Sequence, residues 1–126
     1  MPGFSKQSDR EGRRYETLYG GKGQIGMRHF PFGGAPLPAH FVVYDIPPGA
    51  GEGAHVHGPA DPSTGFYDEY YYVISGQGRM EIDGQSVEIA EGDFIHAPLG
   101  VRHGVENLSS DQTLKIFLTY IKRNPD

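Results

Sequence analysis

Two histidines separated by one residue, His55 and His57, are where side chains able to do chemistry first gather in this chain. On an extended segment, side chains alternate with a period of two, so both imidazoles leave the same face. Such a pair can hold a metal ion, or it can be an exposed or hydrogen-bonded pair with no ion. The chain has no cysteine, which excludes disulfides and thiolate ligands. Any metal site here must therefore be built from histidine and carboxylate.

The elements that must position these residues read as short strands. Phe41 to Ile46 is a strand stopped by Pro47-Pro48-Gly49, because proline cannot donate into a ladder. Ala54 to His57 reads as a short strand, followed by a polar loop from Gly58 to Gly65. Tyr67 to Ser75, rich in Tyr and Val, is the strongest strand. Arg79 to Ile82 and Ser86 to Ile89 flank Asp83-Gly84, a dipeptide suited to a type I′ hairpin turn. Phe94 to Ala97, His103 to Leu108 and Leu114 to Ile121 complete the set. Upstream, residues 1–14 read as a mobile arm. Residues 15–38, apolar in patches (Tyr15, Leu18, Tyr19, Ile25, Met27, Phe30, Phe32) and broken by Gly and Pro, hold one or two early strands. Many short strands without a credible helix predict an all-β sandwich or barrel. The expected division is an N-terminal arm over residues 1–38, packing on the barrel or a partner subunit, and a barrel over 39–126.

Composition sets limits on function. A chain of 126 residues is long enough for one core and too short for two. Its 19 Gly and 10 Pro fall between apolar runs, and its 8 Tyr and 7 Phe argue against disorder. A net charge of -5 disfavours nucleic acid or an anionic membrane surface as partner. No apolar run approaches the roughly 20 residues of a membrane span, and the first residues lack the apolar stretch of a secretory signal. A soluble, cytoplasmic protein is expected.

Both halves of the remaining pattern resemble the cupin superfamily. Gly49, five residues, His55-Val56-His57, then Glu69, six residues and Gly76 match its first motif. Gly92, Pro98, Gly100, His103 and Asn107 match its second motif, G-x5-P-x-G-x2-H-x3-N, at every fixed position. The resemblance covers residues 41–121. It implies an antiparallel jelly-roll barrel in which His55, His57, Glu69 and His103 converge on one divalent metal ion. That donor set is open to Fe, Mn, Ni, Cu or Zn, and the sequence does not select among them. One departure stands out: the family usually places three or four residues between the second histidine and the glutamate, and residues 58–68 intervene here. That loop starts beside a ligand strand, so it either shapes the pocket as a lid or is a tolerated surface insertion. Asp68 neighbours Glu69 but points to the opposite face, and the glycine spacing selects Glu69.

If Glu69 points inward, strand alternation sends Tyr67, Tyr71 and Val73 inward with it. Tyr71 and Tyr67 are then candidate catalytic residues whose phenols could bond a substrate oxygen, or they are core packing. Tyr70, Tyr72 and Ile74 face out as an apolar strip; in cupins such a strip is often covered by N-terminal strands or a second subunit, and a homodimer is expected. His29, His40 and His96 fit neither motif and read as structural histidines, with His29 placed to cross the barrel opening. Arg102 reads as solvated; Asn107 and Gly100 read as structural, the glycine supplying a positive φ.

The expected function is a metalloenzyme acting on a small oxygenated organic substrate, with dioxygenase chemistry favoured by analogy to small cupins. A non-redox lyase, isomerase or cyclase is one alternative, and a non-catalytic small-molecule-binding cupin is another. Fold alone does not choose among them.

Overall fold

The computed structural model describes residues 6, 12–30 and 39–123. The sequence readings that fall on residues 1–5, 7–11 and 31–38, most of the N-terminal arm together with Phe32, lie outside the described residues. Antiparallel strands dominate: β1 (Arg13–Glu16), β2 (Gln24–His29), β3 (Ala39–Ile46), β4 (Tyr67–Ser75), β5 (Gln77–Ile82), β6 (Gln85–Ala90), β7 (Phe94–Ala97), β8 (His103–Glu106) and β9 (Leu114–Lys122). Helical structure among the described residues is confined to two 3-10 turns, Leu18–Gly20 and Pro62–Thr64, so no helix here is long and apolar enough to cross a membrane.

The strands form two sheets, β1-β2-β3-β9-β4-β7 and β6-β5-β8, which make the jelly-roll barrel that the sequence pattern implied. The early strands belong to the larger sheet: β2 pairs with β3 through Met27↔Tyr44 and His29↔Val42. Between the sheets, Ile25, Ile46, Val73, Met80, Leu114, Ile116 and Leu118 close an apolar core. Each inward position alternates with an outward one, as a pleated strand buried on one face requires. The hairpin joining β5 to β6 turns at Asp83 (φ 51°) and Gly84 (φ 75°), the two positive φ values of a type I′ turn.

Two expected strands are corrected. Residues 54–57 form no strand; one isolated bridge, His55 opposite His103, joins this segment to β8. Glycines crowd the backbone just before it, and there the chain follows close approaches rather than a ladder. The strand opening at His103 ends at Glu106, because Asn107 turns the chain. Asn107 Nδ2 donates to Ile46 O and Gln112 O, and its Oδ1 accepts from Ser109 N, which fixes that turn.

Candidate metal centre

Each of the four candidate ligands is placed by a different local device. Glu69 lies inside the β4 ladder, opposite Tyr120 of β9 and Ala97 of β7, so its direction is set by register. His103 opens β8. His55 faces it through a reciprocal pair of backbone bonds, His55 N to His103 O at 2.8 Å and His103 N to His55 O at 2.9 Å. His57 follows two residues on, its carbonyl accepting from Gly100 N. Gly100 holds φ 87° in the turn before β8, the positive φ that its place in the motif suggested.

These placements bring His55, His57, Glu69 and His103 together, all buried, with one potential ligand atom from each lying within 4.8 Å of the others. The donor set and its orientation fit a divalent ion. In each histidine Nδ1 is held by a backbone carbonyl: Gly53 O at 2.8 Å for His55, Thr64 O at 2.6 Å for His57 and Val101 O at 3.0 Å for His103. Nδ1 therefore carries the proton, and Nε2 keeps a lone pair, the arrangement found behind metal-bound imidazoles. Nε2 of His57 is buried without a well-formed hydrogen bond, although Glu69 Oε1 is 2.6 Å away. A buried nitrogen in this state could take a metal ion as its partner.

The charges act accordingly. Burial opposes ionisation of Glu69, but His103 and His57 outweigh it and hold the carboxyl below the usual carboxylate range. Burial lowers the His55 imidazole to about 4, which keeps it neutral. Burial acts the same way on His57, where the facing Glu69 carboxylate reverses the effect and raises it. Asp68 sits on the other face of β4, accepting from Leu99 N at 2.7 Å and pairing with Arg123, so the carboxylate in the cluster is Glu69.

A cavity of about 220 Å³ opens beside the cluster, and Glu69 and His57 form part of its lining. Tyr67 stands in its wall with Tyr15, Tyr19, Tyr44 and Tyr120. Tyr71 is fully buried and lies behind Glu69 rather than in the cavity wall, its Oη 2.6 Å from Glu69 Oε2. The 58–68 loop is part of the site: Thr64 lines the cavity and supplies the carbonyl that orients His57. His29 is in the cavity lining, His40 stacks on cavity-lining Tyr120, and His96 stacks on Tyr70 on the outer face of β4. Arg102 is exposed.

Sequence reasoning did not single out Tyr19, Tyr44 or Glu52. Tyr19, in the 3-10 turn after β1, stacks on His55 at 3.6 Å between ring centroids. Tyr44 and Glu52 are buried together beneath the cluster, Tyr44 Oη donating to Glu52 Oε2 at 3.2 Å. Alternation with Val42 and Ile46 on β3 could have placed Tyr44. Glu52, between glycines in an irregular segment, offered no period to read.

Comparison with known proteins agrees with this geometry. Residues 42–120 match the Cupin domain family. An oxalate-binding protein of Thermotoga maritima is 31% identical over 96 residues, covering 75% of this chain and 74% of that protein. A solved structure described as a predicted oxalate decarboxylase from Thermotoga maritima superimposes with a TM-score of 0.76 at 26% identity, covering 90% of this chain and 93% of that one. A cupin 2 conserved barrel domain protein from Salinispora arenicola shares the fold, with a TM-score of 0.72 at 18% identity over 97% of this chain and 91% of that one. With both motifs in place on a jelly-roll barrel and the family match spanning most of the strands, the chain belongs to the cupin family.

Proposed function

We propose that this cupin holds one divalent metal ion on His55, His57, Glu69 and His103 and acts as a metalloenzyme on a small oxygenated organic substrate. The observation that carries the reading is the common orientation of the three imidazoles. Each is pinned through Nδ1 to a carbonyl, with Nε2 left to the cluster beside a cavity. When bound, an ion on such a donor set supplies Lewis acidity or, if redox-active, dioxygen chemistry. The protein's own contribution is a tyrosine-lined cavity. In this reading the phenol of Tyr67, which lines the cavity, bonds a substrate oxygen, and Tyr71 steadies Glu69; the Tyr71–Glu69 contact supports the second role. Burial, with the neighbouring Tyr67 and Glu69 adding to it, raises the Tyr120 hydroxyl to about 12, so it stays a hydrogen-bond donor across the physiological range.

A dioxygenase reaction is the favoured form, with a non-redox lyase, isomerase or cyclase as its alternative. A non-catalytic binder is the second reading, supported by the similarity to a protein named for binding oxalate. Oxalate is accordingly the first ligand to test, since it is a small oxygenated molecule of the proposed class. A homodimer accompanies the proposal: Tyr72, Ile74 and Phe94 form an exposed strip on β4 and β7, and a second copy would cover it.

The deciding experiment compares the metal content of wild-type protein, expressed without added metal, with that of the His55→Ala, His103→Ala double variant. Near-stoichiometric iron, manganese, nickel or copper, absent from the variant, supports the reading and leads to oxygen-consumption assays. Zinc alone shifts the weight to lyase chemistry. No metal in either protein, and none taken up on titration, overturns it. Glu69→Gln then separates enzyme from binder: it abolishes turnover in the first case and leaves ligand affinity largely intact in the second.

A further inference from the structure

Glu52 is one of the five unspecified residues between Gly49 and His55 of the first motif and does not line the cavity beside the cluster, yet it is a buried acid, 6% exposed. Its placement is tightly determined. Glu52 N donates to Val105 O at 2.9 Å, Gly51 N to Lys22 O at 2.8 Å and Gly53 N to Leu18 O at 2.8 Å. A Cβ at Gly51 would come within 2.6 Å of Glu106 Cβ, and one at Gly53 within 1.8 Å of Tyr19 O. Glu52 therefore carries the only side chain among these three residues, and it is directed inward.

Its partners are two phenols and no cation. Tyr44 Oη donates to Oε2, and Tyr71 Oη lies 3.2 Å from Oε1. Among the described residues no lysine, arginine or histidine forms an ion pair with it. A phenol has one proton to give. Tyr71 Oη is 2.6 Å from Glu69 Oε2, the short separation of a charge-assisted O–H···O⁻ bond, so the Tyr71 proton is engaged there. The approach of Tyr71 Oη to Glu52 Oε1 is then a hydrogen bond only if Oε1 carries a proton. An ionised Glu52 would set lone pair against lone pair at a buried position, close to the charge of Glu69. Burial and that charge push the Glu52 carboxyl well above its ordinary range.

We propose that Glu52 is a neutral carboxylic acid that positions the metal-binding carboxylate: it donates to Tyr71, Tyr71 donates to Glu69 Oε2, and Glu69 is thereby held with Oε1 turned toward His57 and Oε2 toward His103. This rests on the metal reading above. Glu52 is a positioning residue, because Tyr71 stands between it and Glu69. Tyr44 completes the chain by giving its proton to Oε2, so every donor in the network has one acceptor.

Two readouts test this without any turnover assay. In the infrared spectrum at neutral pH, wild-type protein shows the carbonyl band of a protonated carboxylic acid, and Glu52→Gln lacks it. In metal titrations Glu52→Gln, which keeps one donor and one acceptor, retains wild-type affinity. Glu52→Ala and Tyr71→Phe each weaken binding roughly 10–100-fold, the usual loss when the support behind a ligand is removed. The double variant is no weaker than Tyr71→Phe alone, because the two residues act in series. Should Glu52→Ala fail to fold, Glu52→Gln and Tyr71→Phe still decide. A spectrum without the acid band, or Glu52→Gln binding as poorly as Tyr71→Phe, overturns the proposal. Wild-type protein that takes up no metal instead overturns the metal reading, and the infrared band then decides by itself whether Glu52 is neutral.

Discussion

β4 and the segment from Gly49 to His57 deliver side chains to the same point by opposite means. β4 is paired on both sides, with β9 through Glu69↔Tyr120 and Tyr71↔Leu118 and with β7 through Glu69↔Ala97. Its ladder fixes Glu69, and alternation does the rest: Tyr71 and Val73 are buried while Tyr72 and Ile74 are exposed. The Gly49–His57 segment has no ladder, only isolated bridges, two at Gly51 and one at His55. Its path is set by backbone bonds to the 17–23 loop and β8, and by glycines where any side chain would collide. A ladder tolerates substitution on its outer face, whereas a segment held by close approach does not.

Four single substitutions and one double variant test the contrast between the ladder and the segment held by close approach. Leu118→Ala, in the core directly opposite Tyr71, is expected to cost about 2–5 kcal/mol in urea unfolding, since it leaves a cavity between paired strands. A smaller loss would mean that the ladder side of the core can collapse around the gap. Gly53→Ala should cost roughly 1–3 kcal/mol by forcing the Tyr19 carbonyl away. Metal affinity should fall with it, because the Gly53 carbonyl orients His55. Wild-type stability and affinity in this variant would show that the segment is not held by close approach. Thr64→Ala removes a hydroxyl placed against Val56 O and Asp61 O, and about 1 kcal/mol is expected in thermal unfolding. An unchanged midpoint would detach the 58–68 loop from the fold. Tyr72→Thr, at an exposed position inside the ladder, should stay within about 0.5 kcal/mol of wild type. The same variant, combined with Phe94→Ser and examined by sedimentation, should yield monomer if this strip joins two copies.

How much of this was legible in the sequence follows the same line. Tyr67–Ser75 and Phe94–Ala97 appear with their expected bounds, because alternation over a paired strand is a local signal. The clustering of His55, His57, Glu69 and His103 was legible through the two motifs, which record spacing between strands that no local period contains. What stayed hidden lies where position comes from packing. Residues 54–57 looked like a strand because their composition suits one, but no neighbour pairs with them along their length. Glu52 was invisible for the same reason, and Tyr19 reaches His55 through a turn in which it adopts φ 51°, a conformation that residue type alone does not announce. The outward strip on β4, by contrast, followed from counting by twos.

The stack of Tyr19 on His55 also has an optical consequence. The chain contains no tryptophan, so its 8 tyrosines emit without an indole to drain their excitation. Tyr19 lies face to face with one imidazole of the cluster, and Tyr67 meets another edge-on. If the cluster takes up a paramagnetic ion, the ultraviolet emission of the unlabelled protein should dim, and a closed-shell ion should affect it far less.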